Sequence, residues 1–172
     1  NVLDKRPFGS LLPMYNPGYE WLNHSMRPVH LDSYDFRILI GADRKHPYSA
    51  SVLNISAMSF GSLSARAIES LNRGCKKSYA YHNTGEGGLS PYHKTGADIV
   101  FQVGTGYFGI RNEDGSFSME KMVKMCEEYP QVRAIEIKLS QGAKPGHGGV
   151  LPAAKLTEEI ARIRMVPMGE DV

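Results

Sequence analysis

One strand pattern, which runs directly into a glycine-rich loop, constrains the fold of this sequence more than any other feature. Residues 133–140 read "RAIEIKLS". Ala134, Glu136 and Lys138 therefore share one face of a strand, and three aliphatic residues share the other. In a (β/α)8 barrel the aliphatic face would pack on helices and the polar face would point into the barrel. In an antiparallel sheet the polar face would instead lie in water, so alternation alone leaves both folds open.

The order of the predicted elements favours an α/β chain with a parallel sheet. Apolar runs with strand character alternate with segments whose apolar residues recur at helical spacing, as in an α/β chain with a parallel sheet. The predicted strand regions are 36–42, 51–57, 98–110 and 133–140. The predicted helices are one after Gly61 with Ser62 as N-cap, one around Met119–Cys126 with Ser118 as N-cap, and one at 156–164.

The predicted domain organisation follows from these elements. Residues 1–34 contain four prolines and are predicted to form an irregular lead-in, with a short helix around Glu20–Met26. Residues 35–172 are predicted to form an α/β domain, a partial (β/α)8 TIM-type barrel. About four strand–helix segments fit in this length, which corresponds to the first half of such a barrel.

Composition excludes several classes of function. The chain has 172 residues, 41% hydrophobic content and a formal net charge of +2, and its lysines and arginines are scattered, so no nucleic-acid partner is indicated. Cys75 and Cys126 form no CxxC pair, which favours a reducing, cytoplasmic environment and indicates no metal site. No window of 18 apolar residues predicts a membrane span, although an anchor upstream of residue 1 stays an open alternative.

Nucleotide and hydrolase motifs match poorly. The residues "GTGYFG" at 104–109 fit G-x-G-x-x-G, but the dinucleotide fingerprint needs a helix that opens at the third glycine, and "IRNEDGS" predicts a turn there. The sequence contains no Walker loop, no HExxH and no GxSxG. Hydrolytic and metal-dependent chemistry therefore have no support.

Three glycine-rich segments lie at predicted strand ends: "SAMSFGSLS", "HNTGEGGLSP" and "KLSQGAKPGHGGVLP". Glycine lets backbone N–H groups approach a ligand closely. The positive charges of Lys138 and Lys144 would favour the anionic reduced form of a flavin, and Gln141 with Lys144 could hold a carboxylate or keto oxygen. The alternative is that each segment is a structural turn with solvated lysines.

Taken in order, "SAMSFGSLS", "NTGEGG", "QVGTGYFG" and "IKLSQGAKPGHGGVLPAAKLTEEIARIR" resemble the FMN-binding domain of glutamate synthases. The resemblance covers roughly residues 50–172 and is strongest to the shorter FMN-binding proteins of that family. The segment "EWLNHSMRPVHLDSYDFRILIG" is similar to the lead-in of that shorter group. The resemblance implies a barrel that binds FMN and reduces 2-iminoglutarate, formed from 2-oxoglutarate and ammonia, to glutamate.

The resemblance also implies roles for individual residues. The flavin contacts would be Ala57, Met58, Ser59, Thr84, Gln102 and Lys138. Lys138 and Glu86 would be catalytic, and Met58, Gln141 and Lys144 would bind the substrate. The family's GEGGQLPGHK is here GHGGVLPAAK, so His147 and Val150 replace a carboxylate and an amide. These departures concern the substrate and leave the flavin contacts in place.

The resemblance further implies partners that this sequence does not supply. The electron donor would be an NADPH module or ferredoxin on another chain, and the ammonia, free or derived from glutamine, would come from outside. An iron–sulfur cluster would need ligands beyond these 172 residues. We expect the incomplete barrel to self-associate or to be completed by further segments, and to bind FMN poorly alone. The alternative function is a non-catalytic flavin-binding or assembly subunit.

Overall fold

The computed structural model describes residues 17, 18, 20, 22–139 and 149–172. The chain forms two units: Asn1–Asp35 with Ser140–Gly149, and Phe36–Leu139 with Val150–Val172. The described residues of the first unit include neither helix nor strand, so the helix predicted around Glu20–Met26 is wrong for Glu20 and residues 22–26. Here the Ser25 hydroxyl accepts a hydrogen bond from Arg27 N at 3.1 Å, a local bond that competes with a helical one. The division at residues 34 and 35 stays a prediction.

The second unit begins with a hairpin. Strand β1 (Arg37–Ile40) pairs antiparallel with β2 (Tyr48–Ser51) and forms a two-stranded sheet of its own. The strand predicted at 36–42 therefore exists, but it lies outside the parallel sheet. The strand predicted at 51–57 is displaced, since only Ser51 of it belongs to β2. The polar segment between β1 and β2 begins with Gly41 at φ 66°, a left-handed turn conformation that brings the chain back on itself.

A three-stranded parallel sheet carries the rest of the unit. Strands β3 (Tyr81–Asn83), β4 (Asp98–Val103) and β5 (Val132–Ile137) pair in the order β3-β4-β5. Parallel pairing of β5 excludes the antiparallel alternative for the strand at 133–140. The sequence pattern does not predict the short strand β3, because its three residues lie between a helix and a glycine-rich loop.

The segment before the first helix runs beside β3. Ile55 N donates to Tyr81 O at 3.1 Å, and Ile55 O accepts from Asn83 N at 3.0 Å, which makes one parallel bridge. The chain is thus a mixed α/β protein with small sheets, and the barrel stays a prediction.

Helix α1 (Ala65–Ser78) packs on the core through Ile68, Asn72 and Cys75. Its N-cap is Ser64, whose hydroxyl accepts from Ala67 N at 3.3 Å, so the predicted cap at Ser62 is wrong. The Ser62 hydroxyl is engaged elsewhere, because it accepts a hydrogen bond from the hydroxyl of Ser59 at 2.8 Å.

Asn72 joins α1 to the chain before β4. Its side-chain oxygen accepts three hydrogen bonds, from Thr95 N at 3.2 Å, Thr95 Oγ1 at 2.7 Å and Ala97 N at 3.3 Å. Asn72 is fully buried, and its three bonds satisfy the acceptor that burial removes from water.

Two further helices follow. Helix α2 (Met119–Glu128) begins after the predicted N-cap Ser118, whose hydroxyl accepts from Lys121 N at 3.3 Å. Helix α3 (Glu158–Arg164) is shorter than the predicted 156–164, because Thr157 caps it by accepting from Ile160 N at 3.3 Å. Acidic residues in its first turn and basic residues in its last suit the helix dipole.

The main apolar core lies between α1 and α3. Its buried members are Phe60, Ile68, Leu151, Leu156, Ile160 and Ala161. In a complete barrel the aliphatic face of β5 would pack on helices; in the described chain this face is uncovered, with Ile135, Ile137 and Leu139 39%, 72% and 86% exposed. On β4 the corresponding face is covered, with Ile99 and Phe101 buried. No element of the described chain lies over β5 as α1 lies over β3.

Candidate functional site

Four of the predicted site residues meet at the carboxyl ends of the parallel strands, as expected from the common edge at which such strands end. Lys138 follows β5, and its Nζ lies 3.2 Å from Oε2 of Glu86, in the loop after β3. A backbone hydrogen bond holds Lys138 beside the end of β4, since Lys138 N donates to Val103 O at 2.9 Å. Both charged side chains are partly exposed.

Thr84 and Gln102 connect the ends of β3 and β4. The Thr84 hydroxyl accepts from Gln102 N at 3.0 Å and donates to Gly85 O at 2.7 Å. Gln102 is 5% exposed, and its side-chain oxygen is buried without a hydrogen-bond partner in the described part of the chain. A buried acceptor left unpaired is unusual, and it marks a place for a hydrogen-bond donor.

The segment Ala57–Ser59 lies against the same edge. Met58 N donates to Asn83 O at 3.2 Å, and Asn83 in turn accepts from Gly85 N through its side chain at 2.9 Å and donates to the Glu136 carboxylate. The Asn83 side chain thus ties the loop after β3 to β5. Ala57, the residue before Met58, is exposed.

Gly85 lets the loop after β3 approach this segment closely. A Cβ at Gly85 would lie 2.8 Å from Ser59 N, closer than real side chains come. Its φ of 64° is also left-handed, a conformation that glycine adopts without strain. The loop after β3 therefore depends on a residue without a side chain at this position.

A buried histidine that sequence reasoning missed holds the other side of Met58. His93 Nε2 lies 2.9 Å from Met58 O, and His93 Nδ1 lies 2.7 Å from the Ser90 hydroxyl and 3.3 Å from Ser90 N. The signal that could have revealed it is Ser90 followed three residues later by a hydrogen-bonding side chain, the spacing of a capping box.

Burial keeps the two neighbouring histidines neutral. It lowers the pKa of His93 to about 4, and burial together with the nearby His93 ring lowers the pKa of His82 to about 4. Their ring centroids are 5.1 Å apart. His82 does not reach Met58; its Nδ1 lies 3.4 Å from the side-chain nitrogen of Asn72.

A second missed residue is Arg164, the last residue of α3. It is 5% exposed, and its guanidinium lies 5.1 Å from the centre of the Phe108 ring. Burial lowers the pKa of Arg164, and the negative charge of Glu86 opposes that shift. Arg164 thus adds a buried positive charge that interacts with Glu86. No local pattern could have revealed it, because an arginine in a last helical turn is ordinarily a surface residue.

The other residues singled out in the sequence concern the substrate. Gln141, Lys144 and His147 lie outside the described residues. Val150 is described and is 67% exposed. Within the described ranges, no group of three or more His, Cys, Asp or Glu side chains could hold a metal ion. No helix in those ranges is long and apolar enough to cross a bilayer.

Comparison with known proteins identifies the family. The conserved region of glutamate synthases matches residues 25–172. The chain belongs to the glutamate synthase family. The match covers the Ala57–Ser59 segment, Thr84, Glu86, Gln102 and Lys138, and the resemblance over residues 50–172 is confirmed.

Three relatives illustrate the likeness to glutamate synthases. The chain is 46% identical over 127 residues to the glutamate synthase large subunit-like protein YerD of Bacillus subtilis. The matched stretch covers 73% of this chain and 24% of YerD. It is 40% identical over 117 residues to an archaeal-type glutamate synthase [NADPH] of Thermotoga maritima, covering 67% and 20%. It is 42% identical over 119 residues to the archaeal glutamate synthase [NADPH] of Methanocaldococcus jannaschii, covering 68% and 20%. The chain thus spans about a fifth to a quarter of these relatives.

Proposed function

We propose that this chain contributes the isoalloxazine side of an FMN site in a glutamate synthase-like oxidoreductase. One observation carries the proposal: the Lys138–Glu86 ion pair, the Thr84–Gln102 hydrogen bond and the Met58–Asn83 hydrogen bond all lie at one edge of a parallel sheet. Ligands of open α/β sheets bind at this edge, outside the carboxyl ends of the strands. In the proposed complete protein the edge belongs to a TIM-type barrel, whose active sites occupy the same position.

The residues present fit a flavin. Its ring system carries both hydrogen-bond donors and acceptors, and the unpaired side-chain oxygen of Gln102 is an acceptor that a donor on the ring would satisfy. A positive charge near the ring favours the anionic reduced state, and Lys138 supplies one at this edge. When bound, FMN supplies the hydride that reduces 2-iminoglutarate to glutamate.

The chain's own residues then have distinct tasks. The Glu86 carboxylate holds the Lys138 ammonium at the strand ends, and the Thr84 hydroxyl fixes the loop after β3 to β4. The Met58 side chain is half-buried and packs against the main apolar core, and we propose that its exposed part contacts the substrate. Gln141 and Lys144 are proposed to bind the substrate carboxylate, on the basis of the family resemblance.

Partners outside this chain complete the proposed reaction. The names of two relatives include NADPH, which supports an electron donor of that type, with ferredoxin as the other candidate. The proposed substrates are 2-oxoglutarate and ammonia, and an iron–sulfur cluster would use ligands beyond these 172 residues. We propose that other segments complete the barrel.

The reaction is tested on the full-length protein. After anaerobic reduction, mixing with 2-oxoglutarate and ammonium should reoxidise the flavin, as followed by its visible absorption. A protein that holds FMN but shows no substrate-dependent reoxidation would be the non-catalytic flavin-binding subunit instead. A protein without a flavin chromophore would refute the proposal.

A matched pair of lysine variants tests the site. Lys138→Ala should weaken FMN binding or slow reoxidation about ten- to hundredfold, the usual effect of losing a charge-assisted contact. Lys124→Ala is the control, because Lys124 also pairs with a glutamate, Glu128 at 3.9 Å, but lies exposed on α2. Equal behaviour of the two variants would place Lys138 in solvent.

A further inference from the structure

The Met58 backbone is held from two sides. Its N–H donates to Asn83 O at 3.2 Å, and its carbonyl oxygen lies 2.9 Å from His93 Nε2. A carbonyl oxygen can only accept, so Nε2 carries the proton and His93 is the donor. The other ring nitrogen, Nδ1, then accepts from Ser90 N at 3.3 Å, which fixes this tautomer.

This bond also orients the N–H of Ser59, which belongs to the same peptide group as the Met58 carbonyl. In a trans peptide the C=O and the following N–H point to opposite sides. Because the Met58 carbonyl is turned towards His93, the N–H of Ser59 is turned away from it. This N–H makes no hydrogen bond within the described part of the chain; Gly85, which has no Cβ, packs close beside it, and Ser59 is only partly buried.

We propose that His93 is a positioning residue of the flavin site, which sets the Met58–Ser59 peptide so that the Ser59 N–H is presented to the bound flavin. The inference rests on the proposed function, since it takes FMN as the ligand. His93 is fully buried, so its proposed effect on the flavin passes through the Met58 carbonyl and not through a contact of its own.

His82 provides a matched comparison. It is also fully buried, and its ring lies 5.1 Å from that of His93. Its polar contact is with Asn72 on α1, however, and not with the Ala57–Ser59 segment. Loss of a buried imidazole can therefore be separated from loss of the bond to Met58.

The experiment compares three variants in the full-length protein, with FMN affinity measured by quenching of flavin fluorescence. His93→Gln keeps an N–H donor and should bind FMN within about threefold of the wild type. His93→Phe keeps a ring but no donor, and should bind about ten- to hundredfold more weakly with a shifted visible absorption band. His82→Phe should bind within about threefold of the wild type, although both Phe variants lower the urea midpoint.

Each other result overturns the proposal. Equal FMN affinity of His93→Phe and His82→Phe would show that His93 has a general structural role. Equally weak binding by His93→Gln and His93→Phe would show that the donor is not what matters. If His93→Phe does not fold, Ser90→Ala replaces it; this variant loosens the His93 ring and should weaken binding several-fold, and an unchanged affinity would refute the positioning role. A wild-type protein that binds no FMN would instead refute the proposed function.

Discussion

Replacing Gly85 by alanine should destabilise the protein and disturb the candidate site together. Gly85 has φ 64°, and forcing an L-residue into this region costs about 1–2 kcal/mol. The added Cβ would also lie 2.8 Å from Ser59 N, and relieving such a contact in a packed region costs typically about 1–3 kcal/mol. The expected loss is therefore about 2–5 kcal/mol of unfolding free energy.

Gly74→Ala is the matched control. Gly74 lies inside helix α1, and a Cβ there would meet nothing within 4 Å. The same chemical change should therefore stabilise the helix by about 0.5–1 kcal/mol. Urea denaturation followed by far-ultraviolet circular dichroism gives both values. If Gly85→Ala is as stable as the wild type, the loop after β3 does not lie so close to Ser59 that a Cβ at Gly85 is excluded.

Two further outcomes follow from the buried histidines and from a second glycine. The pKa of His93 falls from 6.5 to about 4 on folding, so between pH 6.5 and about 4 the unfolded state binds a proton more tightly than the folded state. The free energy of unfolding should therefore decrease as the pH is lowered through this range. The loss for His93 is on the order of 3 kcal/mol by pH 4, with His82 adding in the same direction, and equal urea midpoints at pH 7 and 4.5 would contradict it. Gly104→Ala would place a Cβ 2.6 Å from Oε2 of Glu86, so the Glu86 side chain must shift, which is expected to disturb its ion pair with Lys138. FMN affinity should then fall about tenfold, and an unchanged fluorescence titration would show that the ion pair does not serve the site.

The part of the site that could be predicted from the sequence follows from strand geometry. Alternation placed Glu136 and Lys138 on one face, and parallel pairing brought Lys138 to Glu86 across the strand ends. Gln102 was expected near the flavin, but that its side-chain oxygen would be buried and unpaired depends on packing that no local pattern encodes.

Other features were decided by tertiary contacts. Ser62 and Ser64 are equally good helix caps by residue type, and the choice fell to Ser64 because the Ser62 hydroxyl is bonded to Ser59. The strand at 36–42 has the composition of a sheet strand, but its partner was fixed by the turn that follows it. The role of His93 is only weakly indicated by the local sequence, because its hydrogen-bond partner is a backbone carbonyl 35 positions away.

The two longer helices, α1 and α2, differ in how many of their residues are buried, and this difference affects which of them unfolds locally first. None of the ten residues of α2, all of them described, is buried, whereas α1 buries Ile68, Asn72 and Cys75. Segments with few buried contacts separate from the rest at low free energy, without global unfolding. The amides of α2 would therefore exchange with solvent far sooner than those of α1. A protease would therefore cleave in α2 when this helix has unfolded locally, while α1 and the loops that it supports are still folded.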